Sequence, residues 1–315
     1  MENVAVAYRF TTEYHLINFF SYIYKKNDID KIIFFVDEHW GHKTLTLSKL
    51  KEYTDIPVVI KLVSDFDLRS LVSVNCIYFA SISDISYKPY FYLRKTVKKF
   101  LIVEDGLGTY AGRLHWTKVI YRERGIYLST RYFLSSFFKR LLFLFVRKKK
   151  IKFLTLFNLK SLSQNSMFIK ELRSYYLFKN KTKLISIFKP TVIFVSGPVI
   201  ERGILNEDEY NIVLNSLRDS CSDKELDFVI KKHPAEYAFD YNDFELLEDG
   251  SLEDFVFINS EHVVELIGFF STALITCKVL FDTKSHYINY NRASVNNRPA
   301  RIIKIIKNTI NEIEL

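Results

Sequence analysis

"TVIFVSGP", residues 191–198, is a threonine and an apolar run of four closed by Ser, Gly and Pro. By itself it reads as a buried strand stopped by a tight turn. Its place in the chain decides the fold, because strands and helices have already alternated once before it. Upstream, "VAVAY" (4–8), "KIIFFV" (31–36), "PVVIKLV" (57–63), "CIYFA" (76–80) and "KFLIV" (99–103) are apolar runs of strand length. Helix-like stretches such as "EYHLINFFSYIYKK" and "HKTLTLSKLKEY" separate them, and Thr12 stands as an N-cap before the first. Near-continuous apolar strands in turn with helices signal a parallel sheet covered on both faces.

From residue 191 the pattern begins again. "NEDEYNIVLNSLRDSCS" is a helix whose early acids suit the macrodipole. "LDFVIKKHP" (226–234) is a strand running into His-Pro; "SEHVVELIGFFSTAL" and "KVLFD" follow, and "RPARIIKIIKNTINEIEL" closes the chain as an amphipathic helix. The sequence thus divides into an α/β domain over 1–130, a basic aromatic linker over 131–185, a second α/β domain over 186–290, and a C-terminal helix over 291–315.

The bulk properties agree. A chain of 315 residues with 48% hydrophobic content fills two ordinary cores, and 9 Gly with 6 Pro argue against low complexity. No fixed-period repeat points to a solenoid. Three scattered cysteines without CxxC spacing read as reduced thiols in a cytoplasmic compartment. The N-terminus carries no basic segment followed by an apolar one, and no apolar window reaches membrane-spanning length, so neither a signal peptide nor a spanning helix is expected.

The net charge of +9 directs attention to anionic partners. Its densest patch, "RYFLSSFFKRLLFLFVRKKKIKF" (131–153), sets Phe and Leu among cations and ends in four cations in a row. Such a segment suits an anionic membrane surface, rings in the acyl boundary and charges on headgroups. The plainer alternative is a core helix with a solvated basic turn. Nucleic-acid binding lacks any accompanying helix-turn-helix, RNP-like or zinc pattern.

The polar motifs fall at the carboxyl ends of the strands, where ligands bind in open α/β sheets. "VEDGLGTY" (103–110) sets Glu104 and Asp105 before Gly106 at the end of an apolar run. A carboxylate held there can take a proton from a sugar hydroxyl, and the glycines let a substrate approach; a capped turn with exposed acids is the alternative. In "HPAE", Pro234 fixes the chain after His233, which suits a rigid hydrogen-bond donor as well as a structural turn. In "GFFSTAL", Ser271 and Thr272 open a helix-capable run, so they are an ordinary cap or an anion site. Ser196 and Gly197 form a simple turn or a close approach of backbone to ligand. "DFD" (65–67) has the spacing by which many nucleotide-sugar transferases hold a divalent metal, but acidic triplets of this length arise readily by chance.

In this order, the acid-acid-Gly, Ser-Gly-Pro, His-Pro and Phe-Phe-Ser motifs resemble the bacterial sialyltransferases. The resemblance is nearest to glycosyltransferase family 52, whose members sialylate lipooligosaccharide and capsule; the polysialyltransferases share the acid-acid-Gly and His-Pro motifs. It spans roughly residues 76 to 282 and includes the strand "IYFASISDIS".

The resemblance implies a GT-B fold, two Rossmann-like domains facing across a cleft, with CMP-sialic acid as donor and no metal or other cofactor. Asp105 matches the family's general base, with Glu104 and Gly106 positioning the substrate. His233 matches the histidine that bonds the CMP phosphate, Pro234 positions it, and Ser271 matches the phosphate-binding serine. Thr272 stands where relatives often carry Gly or Ser, and Ser196 with Gly197 matches the nucleotide-side turn.

The implied reaction is inverting transfer of sialic acid to a galactose-terminated glycan of a bacterial surface polysaccharide, capsule or lipooligosaccharide. The implied location is the inner face of the cytoplasmic membrane, with homodimers known among relatives. Polysialic-acid extension or transfer of Kdo is the same-class alternative. A non-catalytic membrane-associated glycan-binding protein is the alternative of another class.

Overall fold

The computed structural model describes residues 2–10, 12–36, 46–67, 69–71, 75–81, 88–93, 97–104, 106–145, 150–233, 235–247, 250–269, 271–290 and 298–314. The chain divides into two compact units, Met1–Tyr175 and Tyr176–Leu315.

In the first unit the elements run β1 (Asn3–Tyr8), α1 (Glu13–Ile23), β2 (Lys31–Val36), α2 (Leu47–Lys51), β3 (Val58–Leu62), β4 (Asn75–Ser81), α3 (Lys88–Leu93), β5 (Lys99–Val103), α4 (Arg113–Phe145) and β6 (Ile151–Leu154). The strands form one parallel sheet in the order β3-β2-β1-β4-β5-β6. The apolar runs became strands because both faces are covered. Val4, Val6, Tyr78 and Phe100 pack into one cluster, while Phe19 of α1 packs at a tilt against Phe34 and Phe79 and Phe20 against Phe34. Thr12 caps α1 as expected, its Oγ1 accepting the N–H of His15 at 3.3 Å.

Helix α5 (Ser166–Lys179) carries the chain into the second unit. There follow β7 (Thr191–Val195), α6 (Glu207–Ser222), β8 (Asp227–Lys231), β9 (Glu245–Leu246), α7 (Leu252–Ile258), β10 (Val263–Gly268), α8 (Thr272–Phe281), β11 (Ser285–Asn289), α9 (Ala300–Thr309) and β12 (Asn311–Glu314). These strands are also parallel, in the order β12-β11-β10-β7-β8-β9. Counted within its own unit, each sheet has the same doubly wound order, 3-2-1-4-5-6. The strand order reverses between β1 and β4 in the first sheet and between β7 and β10 in the second.

Helix α6 starts at a capping box in which Asn206 and Glu209 bond each other's backbone N–H at 2.8 and 2.9 Å. Two stretches differ from the sequence reading. Residues 131–185, read as a linker, hold the end of α4, the edge strand β6 and helix α5. The last stretch is helical only to Thr309, and Asn311–Glu314 pair with β11. The edge of β11 offers ladder hydrogen bonds there, and the Tyr287 hydroxyl donates to Glu312. All three cysteines are free and buried; burial raises the Cys76 thiol to about 12.

Candidate functional site

The acidic motif ends β5. Asp105, the expected base, lies outside the described residues. Its neighbour Glu104 is only 1% exposed, and three segments converge on its carboxylate. The hydroxyls of Tyr14, from the first turn of α1, and of Tyr110 donate to it, and so does the N–H of Leu156, just past β6, at 2.9 Å. Tyr110 in turn accepts the N–H of Phe157 at 3.0 Å, and burial followed by the Glu104 charge pushes its phenol far above the ordinary range. Glu104 therefore sits under the motif as an anchor and does not present itself to a substrate. Gly106 opens a 3-10 turn over Gly106–Tyr110 at φ 69°, a backbone state that side chains disfavour. Trp116 closes the turn, its indole N–H donating to the Gly108 carbonyl at 2.9 Å.

In the second unit the expected residues gather at the carboxyl ends of adjacent strands. Ser196 follows β7, His233 follows β8 and Ser271 follows β10; in the sheet these strands stand in the order β10-β7-β8. The backbone N–H of His233 donates to Ser196 Oγ at 2.9 Å and to Glu236 Oε2 at 2.8 Å. Ser196 is buried, its hydroxyl donating to Glu236, with the Lys231 carbonyl at 3.1 Å. Glu236 is buried as well, and its second oxygen accepts the Tyr241 hydroxyl at 3.2 Å; Tyr241 is paired with Tyr210 at 2.8 Å. Burial raises both phenols, so they stay neutral.

The imidazole of His233 is fixed by a separate contact. Its Nδ1 accepts the N–H of Ala235 at 3.1 Å, so the neutral ring carries its proton on Nε2 and uses that atom as donor. Desolvation lowers the histidine pKa, opposed by the Glu236 and Glu201 charges and aided by Arg202. Pro234 lies outside the described residues.

Ser271 is the N-cap of α8, with φ −137°, and its Oγ accepts the Ala273 N–H at 3.2 Å. Thr272 is the first helical residue. The start of α8 thus brings a ten-residue helix's positive dipole end to the carboxyl ends of the strands, beside the Ser196 turn. Gly268, just before, has no room for a side chain: a Cβ there would lie 2.5 Å from the Val195 carbonyl oxygen. Gly197 is the opposite case, with nothing within 4 Å of an added Cβ.

Sequence reasoning missed three residues of this region. Glu236 stood in the quoted motif, and an acid three residues after the histidine is the signal that could have marked it, since that spacing lets a carboxylate reach back to a backbone N–H. Arg202, in the turn after β7, and Arg298, just before α9, carried no motif. Their positive charges repel each other: burial and then Arg202 lower the Arg298 pKa to about 10. Of the "DFD" acids, Asp65 is exposed after β3, and Asp67 accepts the Arg69 N–H at 2.9 Å. Among the described residues no three His, Cys, Asp or Glu side chains are grouped to hold a metal ion, and no helix is long and apolar enough to cross a membrane.

Known proteins resemble this chain at two levels, in fold and in sequence family. The GT-B domain of a sialyltransferase from Photobacterium damselae superposes with a TM-score of 0.53 at 11% identity, covering 99% of this chain and 100% of that one. UDP-GlcNAc 2-epimerase from Methanocaldococcus jannaschii superposes with a TM-score of 0.54 at 9% identity, covering 98% and 92%. A transferase and an epimerase fit equally well, so these likenesses establish the GT-B fold and leave the chemistry to other observations. No curated protein matches by sequence. A family model does: that of the alpha-2,8-polysialyltransferases matches residues 69–290, from before the acidic motif to beyond the α8 N-terminus. The chain belongs to the alpha-2,8-polysialyltransferase family; it is a glycosyltransferase, a bacterial sialyltransferase related to the polysialyltransferases.

Proposed function

We propose that the protein transfers sialic acid from CMP-sialic acid to a hydroxyl of a bacterial surface glycan, with inversion and without a divalent metal. The observation that carries this reading is the fixed imidazole of His233. Its Nδ1 is occupied by Ala235, and its backbone is held by Ser196 and Glu236. Nε2–H is left as a donor at the carboxyl ends of the strands, where the Ser271-capped α8 also begins.

A tertiary anomeric carbon ionises readily, so the leaving CMP phosphate needs stabilisation more than it needs a proton. His233 Nε2–H, the Ser271 and Thr272 end of α8, and the Arg202 guanidinium supply it. Ser196 and Gly197 shape the turn beside the nucleotide, the serine through its bond to His233. Asp105 takes the acceptor hydroxyl's proton as the new C–O bond forms. Glu104 and Gly106 set the loop that carries it.

For the acceptor, a galactose-terminated glycan is one reading; the family match favours the other, a growing chain ending in sialic acid. The test is CMP release by the purified chain in chelator, with CMP-sialic acid or CMP-Kdo as donor and galactose- or sialic-acid-terminated oligosaccharides as acceptors. Acceptor-dependent release from CMP-sialic acid alone, lost in Asp105→Ala and His233→Ala with the fold intact, is the expected result. Full turnover in Asp105→Ala removes the mechanism, and loss of activity in chelator removes its metal independence.

A further inference from the structure

Helix α4 is not one rod. Gly125 breaks it at φ 81°, ψ 179°. The hydroxyl of Ser129 donates to the Thr117 carbonyl at 2.9 Å, and the Arg113 guanidinium lies 4.3 Å from the Phe133 ring centroid. Twelve and twenty residues along a straight helix span about 18 and 30 Å. The two arms must therefore fold back on each other at Gly125.

This hairpin is inside out for a protein surface in water. The longer arm buries Ser129, Tyr132, Ser135 and Lys139, and turns Leu134, Phe137 and Phe138 outward. All seven residues of the tip, 121–127, are exposed, with Ile126 at 71% and Tyr127 at 74%. Around these rings stand cations: of the seven Lys and Arg in residues 113–145, Lys118, Arg122, Arg124, Arg131 and Arg140 are exposed, against a single acid, Glu123. Both ends are tied down. Trp116 bonds Gly108 at the base of the first arm, and Phe143 packs on the rings of Tyr90 and Phe153 at the end of the second.

We propose that this hairpin is a lipid-binding element that inserts its tip into an anionic bilayer surface, with Tyr121, Ile126 and Tyr127 in the acyl boundary and Arg122 and Arg124 on the headgroups. An apolar face ringed by cations matches the two requirements of interfacial binding, area to bury and opposite charge to meet. A second copy of the chain fits the same face poorly, because a two-fold contact sets five exposed cations against five. The expected membrane segment, 131–153, is thereby moved toward the Gly125 tip. Of its four consecutive cations, Arg147, Lys148 and Lys149 lie outside the described residues, and Lys150 donates to the Val97 carbonyl at 3.1 Å. The first arm begins at the acidic-motif turn, so on the proposed transferase reading the hairpin holds that turn close to membrane-linked acceptors.

The test is flotation of the full chain with vesicles of phosphatidylcholine alone and of phosphatidylcholine mixed with phosphatidylglycerol, at low and at raised salt. It needs neither donor nor turnover, so it fails or succeeds independently of the transferase reading. We expect binding to the anionic vesicles only, weakened by salt. Arg122→Gln with Arg124→Gln lowers partitioning roughly 30-fold, and Ile126→Ser with Tyr127→Ser lowers it as well. Both variants change only exposed tip residues, so circular dichroism should match wild type. No vesicle binding, equal binding to neutral vesicles, or unchanged binding by both tip variants overturns the proposal. So does a dimer in sedimentation velocity that the Ile126/Tyr127 variant abolishes while vesicles are ignored, because the face is then covered by a second copy.

Discussion

The carboxylate of Glu236 accepts the backbone N–H of His233 at 2.8 Å while holding the hydroxyls of Ser196 and Tyr241. One buried acid thus fixes where the histidine's chain runs, and Nδ1 is fixed separately by Ala235. Glu236→Ala leaves these buried donors short of a partner and should lower stability by about 3 kcal/mol. Glu236→Gln keeps one acceptor oxygen, loses the charge, and faces an amide N–H₂ toward donors. It should fold, lower kcat/KM by about tenfold or more, and lower the His233 pKa further, since the Glu236 charge raises it. Denaturant unfolding, kinetics and a histidine NMR titration read the three effects. An unchanged titration removes the electrostatic link.

His233 gives a pH dependence with a definite sign. Desolvation, with a contribution from Arg202, outweighs Glu236 and Glu201 and sets its pKa below the ordinary 6.5. The folded state therefore prefers the neutral ring. The stability it contributes is present above pH 6.5 and is lost as pH falls through the lowered folded value. Protonation of Nδ1 also removes the acceptor for the Ala235 N–H. The NMR titration of His233 should show a midpoint under 6.5, and donor affinity should be flat from there upward as far as this group sets it. A midpoint above 6.5 contradicts the assigned tautomer and its environment.

Much of the second unit was legible because its strands are short apolar runs that end in distinctive turns. Ser196, His233 and Ser271 could be picked out since each directly follows such a run. Arg202 and Arg298 could not, because a guanidinium in a loop carries no pattern until the fold places it beside another charge. Glu104 was legible as part of a pair but not in its orientation. A two-residue step in an irregular turn does not say which acid faces in, and the partners that settle it, Tyr14 and Leu156, are 90 and 52 residues away. In α4, likewise, apolar spacing promised a core helix or a membrane segment, and only the contacts across Gly125 show which residues are inside.

Glu104 and Tyr110 form the second testable anchor. Tyr110→Phe removes a donor to the carboxylate and orphans the buried Phe157 N–H. The loss should be about 2 kcal/mol, measured by urea unfolding. If the anchor serves the motif, activity should fall beyond what the lower stability explains, at temperatures where the variant is fully folded. Unchanged kcat in the folded variant shows that the anchor serves stability only.

Two glycines separate the demands of the fold from those of a ligand. At Gly268 an added methyl meets the Val195 carbonyl at 2.5 Å. Strand β10 would have to move away from β7, so Gly268→Ala should cost about 2 kcal/mol and lower Tm. At Gly197 the same methyl meets nothing within 4 Å, and the backbone is not in the left-handed region. Gly197→Ala should therefore leave stability unchanged to within about 0.5 kcal/mol. If the nucleotide passes against this turn, the methyl occupies its space, and KM for the donor should rise by about tenfold with little change in kcat. The fold has no need of glycine at this position, so a donor affinity equal to wild type means that the nucleotide does not approach Gly197.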